Sequence, residues 1–210
     1  SIVGTLYSIL LMVCCAYVLT KTEVKGVKLL FGMVIFTMFF TGGMIPTYLN
    51  IKNLGLMNSL WAIILPAGIN TFYMILLVNA FRDVPAELEE SARIDGANEI
   101  VILFRVALPL IKPTLMAVLL FGFVDRWNEW YSAMLYLTDS NKWPLTYVLK
   151  QMLTNITAAT DPATQRMLME KQVFTAGVQR ATIVFTMLPI MCIYPFLQKY
   201  FAKGIMVGAI

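Results

Sequence analysis

Apolar runs about as long as a lipid bilayer is thick constrain this chain more than any other feature. Five follow one another, roughly Ile2 to Thr20, Val27 to Leu49, Leu60 to Phe81, Thr114 to Leu137 and Ala181 to Phe201, each broken off by charges or by Gly, Pro and Asn. A helix needs about 20 apolar residues to cross the hydrocarbon core. In lipid every backbone N–H and C=O must be bonded inside its own segment, and no alternating strands of about ten residues are present that could close a barrel. The expected fold is therefore all-α, a polytopic membrane bundle. Composition agrees: 59% of the 210 residues are hydrophobic and 13% charged, against about half and about a quarter in soluble domains.

The net charge of +4 is small, and the basic residues sit mostly at the ends of apolar runs, a pattern of membrane orientation that argues against a nucleic-acid partner. Lys21, Lys25 and Lys28 flank the first turn, Arg82, Arg93, Arg105 and Lys112 populate the third, and Lys199 and Lys203 follow the last run. These three regions are expected in the cytoplasm, with Ser1 outside and the C-terminus inside. The opposite side receives the connection from Asn50 to Ser59 and a long extracytoplasmic loop over residues 138–180. That loop holds Lys142, Lys150, Arg166, Lys171 and Arg180, but long loops weigh less in setting orientation. Some helix is expected in it from Leu145 to Leu153, after Pro144, followed by the polar, turn-like "TNITAATDPATQ".

Chemistry-bearing clusters are scarce. Cys14, Cys15 and Cys192 lie inside apolar runs, there is no CxxC pair and the chain has no His, so the cysteines read as small buried hydrophobes; neither a metal nor another cofactor is expected. The chain starts within a hydrophobic run, without the basic region and small-residue cleavage site of a signal peptide, which suggests a segment before Ser1.

The segment "PAELEESARIDGANEIVILFRVALPLIKP", Pro85 to Pro113, interrupts the apolar pattern with five acids and two arginines. Asp83 is expected to cap a helix whose early turn holds Pro85 and whose Glu87, Glu89 and Glu90 favour its N-terminus. Gly96 then stops it. A second helix restarts with Asn98 and Glu99 at its head and runs until Pro109 bends it. On these residues alone, an amphipathic loop lying at the interface and a built docking surface both remain open.

Spacing adds a resemblance. Glu90-Ser91-Ala92, three residues, Gly96, nine residues, then Val106-Ala107-Leu108-Pro109 resembles the EAA signature of ABC importer permeases, with Ser for the second Ala and Val for Ile. "IPTYLNIKNLGLMNSLWAIILP", "DRWNEWYSAMLYL", "WPLTYVL" and "LPIMCIYPFLQKYFAKGIMVGAI" look like carbohydrate-uptake permeases of the maltose-permease-like group, with the nearest likeness to its complex-saccharide branch. The resemblance covers essentially the whole chain. It implies a type I ABC importer transmembrane domain over residues 1–210 in a bacterial cell membrane, with five of the usual six spans and one helix preceding Ser1. It further implies that residues 83–112 form the coupling helices, with Glu90, Ser91, Ala92, Arg93, Asp95 and Gly96 facing an ATP-binding subunit dimer. The other implied partners are a homologous second permease and an extracytoplasmic solute-binding protein. The chain has no GxxxxGK[ST] loop, so ATP hydrolysis would fall to the partner and this subunit is not expected to be an enzyme.

Asp125, Arg126 and Glu129 fall inside the fourth run, where a charge at the bilayer centre costs on the order of 2.5 to 3.5 kcal/mol. Two readings stand: a structural ion pair of Arg126 with Glu129 or with a neighbouring helix, or a cargo pathway formed by Asp125, Trp127, Asn128, Glu129, Trp130 and Tyr131. Trp127, Trp130 and Tyr131 equally suit an interfacial aromatic belt. One continuous helix cannot aim all of them inward. The sequence leaves the solute open: a sugar or oligosaccharide on the resemblance, otherwise a polyamine, phosphate or amino acid. A secondary transporter is the rival class, but the inverted repeats expected there are not visible.

Overall fold

The computed structural model describes residues 1–158, 177, 180–192 and 195. Regular structure among them is helical throughout: α1 (Ile2–Thr20), α2 (Val27–Phe39), α3 (Met44–Asn53), the single turn α4 (Trp61–Ile64), α5 (Thr71–Arg82), α6 (Ala86–Ile94), α7 (Glu99–Leu110), α8 (Lys112–Asn128), α9 (Tyr131–Tyr136), α10 (Leu145–Ala158) and α11 (Arg180–Cys192). Short α10 lies where helix was expected after Pro144.

Only α1, among the described residues, is by itself long and apolar enough to cross a bilayer. The second apolar run is two helices meeting at 114°, α2 and α3, because the chain turns at Gly43, whose φ of 85° and ψ of 178° lie in a region essentially closed to residues with a Cβ. The third run is divided between α4 and α5 by Pro66, Gly68 and the cap Asn70, whose Oδ1 accepts from the Tyr73 N–H at 3.3 Å. The fourth ends as a helix at Asn128 and resumes at Tyr131, Glu129 between them being extended. Of the fifth, α11 covers residues up to 192, and apart from Pro195 the remainder lies outside the described residues.

Two local expectations are corrected. Asp83 does not cap α6: it closes α5, its N–H donating to the Asn79 carbonyl, while Pro85 stands at the α6 N-cap without a side-chain bond. Nor does the chain bend at Pro109. It runs through a π-helical turn at Leu103–Ala107 and past Pro109, and turns by 86° only at Ile111.

α1 is the central element. Its Met12, Val13, Ala16 and Tyr17 are buried against Met74, Leu77, Val78 and Phe81 of α5, Leu103 and Ala107 of α7, and Val118 of α8. A second, smaller cluster joins Ile51, Ala62 and Tyr136, and a third joins Ala133, Leu137 and Tyr147. The remaining apolar side chains face outward: Leu29, Met33, Phe36 and Phe39 on α2, and Ile183, Phe185 and Met187 on α11 are all exposed. In water that surface would drive association. Lipid tails or another apolar helix satisfy it, as the composition requires.

Candidate functional site

The charged segment is a built structure. α6 carries Glu87 and Glu89 in its first turn, where the helix dipole favours acids, and Arg93 in its last. Gly96, at φ 83°, closes it in a Schellman motif: the Ala97 N–H donates to the Ala92 carbonyl and the Gly96 N–H to that of Arg93, each at 3.0 Å. Asn98 then caps α7, Oδ1 accepting from the Val101 N–H at 2.9 Å. Helix, glycine turn and helix stand as the spacing predicted. Glu90, Ser91, Arg93, Asp95 and Gly96 are exposed, and Ala92 is half-buried.

This segment is fastened to the C-terminal end of α1. The Tyr17 hydroxyl donates to Glu99 Oε2 at 2.9 Å, Arg93 Nε donates to Glu99 Oε1 at 2.9 Å, and Lys21 pairs with Glu89 while its ammonium sits 4.1 Å from the Tyr17 ring centre. Burial pushes the Glu99 carboxyl up, but hydrogen bonds from Arg93 and Tyr17 and the charges of Arg93 and Lys21 outweigh it and hold Glu99 below the ordinary range. Nothing in the sequence pattern joined Tyr17 to Glu99, 82 positions apart.

The N-terminal half of the same helix walls a cavity of about 510 Å³. Thr5, Ser8 and Met12 of α1, the cap Asn70 and Tyr73 of α5, and Asp125, Arg126, Asn128, Glu129, Trp130 and Tyr131 line it. The break after Asn128 is what assembles this wall. α8 presents Asp125, whose Oδ2 accepts from the Tyr73 hydroxyl at 2.7 Å; the extended Glu129 turns back so that its Oε1 accepts from the Ser132 N–H at 2.9 Å and caps α9. The restart at Tyr131 brings Trp130 and Tyr131 in edge-to-face contact, ring centres 5.8 Å apart. Lys150 of α10 lies 5.1 Å from the Trp130 ring centre.

Arg126 forms no ion pair with Glu129. Its guanidinium donates to the Ser8 hydroxyl at 2.6 Å, to the Ile63 carbonyl at 3.3 Å and to the Ala67 carbonyl, so it bolts α8 to α1 and to the turn before α5. Those carbonyls are available because the chain leaves helical geometry around Pro66. Trp127, in contrast, is outside the wall: its indole N–H donates to the Thr186 carbonyl of α11 at 3.0 Å. The cavity thus joins five of the six residues named from the sequence on this helix. Thr5, Ser8, Asn70 and Tyr73 were missed. Thr5 and Ser8, three apart in an otherwise apolar run, were the available signal of a polar face.

The family described as "Binding-protein-dependent transport system inner membrane component" matches residues 3–207. Protein LplC of Bacillus subtilis (strain 168) is 47% identical over 212 aligned residues, covering all of this chain and 70% of that protein. The polygalacturonan/rhamnogalacturonan transport system permease protein YtcP of the same organism is 40% identical, over all of this chain and 73% of its own length. A solved bacterial ABC transporter involved in the import of the acidic polysaccharide alginate superposes with a TM-score of 0.84 at 35% identity, covering 94% of this chain and 70% of the matched one.

Proposed function

Because this chain belongs to the family of binding-protein-dependent transport system inner membrane components, we propose that it lines one half of the membrane pathway of an ABC importer for an oligosaccharide and couples that pathway to ATP hydrolysed elsewhere. As a permease component it is not itself catalytic. The observation that carries the cargo assignment is the cavity at the α8–α9 break. Its volume falls within the roughly 300–1,000 Å³ typical of small-molecule sites. Its wall offers what a sugar ring needs: carboxylate and amide acceptors for hydroxyl donors at Asp125, Asn128 and Glu129, and aromatic faces at Trp130 and Tyr131 for apolar C–H surfaces. Discontinuous helices commonly form transport sites for the same reason, since an interrupted segment can aim polar groups inward that an intact one would spread around its circumference. The saccharide-handling relatives support this cargo over a polyamine, phosphate or amino acid.

Residues 83–112 are the proposed contact with the ATP-binding dimer. Support comes from the capped build of the α6–Gly96–α7 unit and from what it leaves exposed: the Glu90 side chain has no hydrogen bond or ion pair to another described residue, and Ile94 and Ile100 are 83% and 68% exposed, an apolar surface framed by charge. The fastening at Tyr17 and Lys21 then passes movement of this unit to α1, whose other half walls the cavity. About 1.5 Å of rise per residue puts Ser8 and Tyr17 roughly 14 Å apart on one rigid helix. We place this segment and the C-terminus in the cytoplasm, the loop over residues 138–180 outside, a homologous permease against the apolar faces, and a solute-binding protein on the outer side.

Uptake, assembly and basal ATPase activity of Asn128→Ala, Glu129→Gln and Trp130→Ala test the pathway. Intact assembly with cargo-dependent loss of uptake is expected. Unchanged affinity and rate for every sugar in all three would overturn the assignment and leave these residues structural.

A further inference from the structure

The geometry points to an uncharged saccharide, one without uronic acid carboxylates, as the cargo this cavity accepts. The inference rests on the pathway reading above and goes beyond it by assigning the chemical class. Three observations carry it. First, Arg126 is the single cation among the described residues of the wall, and both terminal nitrogens of its guanidinium are already engaged, by Ser8, Ile63 and Ala67. Second, two carboxylates share the wall with it, and each is bonded through one oxygen only: Asp125 through Oδ2 to Tyr73, Glu129 through Oε1 to Ser132. The second oxygen of each is left as an acceptor for a hydroxyl donor. Third, Lys150, whose ammonium lies 5.1 Å from the Trp130 ring centre, is itself outside the lining.

A uronate entering such a cavity would bring a carboxylate toward two others, with no unengaged guanidinium among the described lining residues to receive it in bidentate fashion. A neutral ring meets acceptors for its hydroxyls and aromatic faces for its carbons. Relatives that handle acidic glycans are built on the same fold, so the discrimination sits in these side chains and not in the architecture.

The test uses the complete complex of both permeases and the ATPase dimer in nanodiscs, without the solute-binding protein, so that only the membrane cavity selects. Saturation-transfer NMR compares a galactose trisaccharide with the galacturonic acid trisaccharide of the same linkage. Binding of the neutral sugar about tenfold or more tighter is expected from one like charge at partly screened range. Asp125→Asn and Glu129→Gln keep the acceptors that hold Tyr73 and Ser132 and remove only charge, so each should narrow the gap several-fold. Raising salt on the unmodified complex should narrow it too, a readout that does not depend on how the variants assemble. Equal or tighter binding of the galacturonide overturns the charge assignment and leaves the oligosaccharide reading intact, as does a gap that neither variant nor salt narrows. Binding of neither trisaccharide overturns both readings.

Discussion

Replacing Tyr17 by Phe removes one hydroxyl and little else. The ring keeps its edge-to-face contact with Phe81, centres 5.5 Å apart, and its position under the Lys21 ammonium. What goes is the bond to Glu99. A hydrogen bond to a charged group is worth about 1.5–3 kcal/mol when sheltered. Tyr17 is only 5% exposed, but the Glu99 side chain is 52% exposed and keeps water on one side, so roughly 1 kcal/mol is the reasonable figure. That raises local opening of the α6–α7 unit about fivefold. The assay is amide hydrogen exchange over Ala92 to Val101 in the assembled complex, where the Ala97 and Val101 N–H groups report on the Schellman turn and the α7 cap. Tyr17→Phe should speed their exchange about fivefold, Glu99→Gln by a similar factor, and the double variant by less than the product of the two. ATP hydrolysed per sugar delivered should rise in each, because a loosened fastening lets the cytoplasmic unit move without α1. Because the Glu99 carboxyl is held below its ordinary value, the stabilisation is fully present above about pH 4.3 and is lost only as pH falls through the lowered value. Protection should therefore be flat at neutral pH, after correction for intrinsic exchange. Unchanged exchange in Tyr17→Phe, or protection that falls between pH 8 and 6, would refute the reasoning.

Three further outcomes are expected. Gly96→Leu forces a side chain into the left-handed region at a cost of about 1–2 kcal/mol although nothing crowds the position, so uptake should fall by impaired coupling while Gly96→Asn is milder; equal uptake in both and in the unmodified complex would make the segment a mere linker. Gly68→Ala places a Cβ 2.9 Å from the Tyr7 ring and 3.1 Å from the Leu65 carbonyl, which should lower the melting temperature of the complex by pushing α1 from the turn that Arg126 grips, with a cost of about 1–3 kcal/mol; an unchanged melt would show that α1 yields freely. In a variant freed of Cys14, Cys15 and Cys192, cysteine at position 24 or 96 should react only from the cytoplasm and at position 160, which lies outside the described residues, only from outside; the reverse pattern would overturn the orientation.

What the sequence determined by itself was everything set by short-range pattern. Runs of apolar residues dictate helices in lipid whatever they pack against, and Gly96 and Asn98 specify the left-handed stop and the new cap through backbone geometry within a few residues. The spacing from Glu90 to Pro109 marked the family because such spacings survive as a unit. Tertiary structure decided how those runs are divided. Gly43, and Pro66 with Gly68, could have signalled their breaks, but the one at Glu129 has no glycine or proline behind it and exists because Arg126 is pulled to Ser8 and Ala67 while Glu129 folds back to Ser132. That division turned Trp127 toward α11 and Trp130 toward the cavity, a separation no periodicity foretold. It also set the destination of each charge. A half-buried guanidinium takes whichever acceptors the packed neighbours leave unpaired, and here those are carbonyls of a broken turn about sixty residues away in the chain, not the glutamate three positions along.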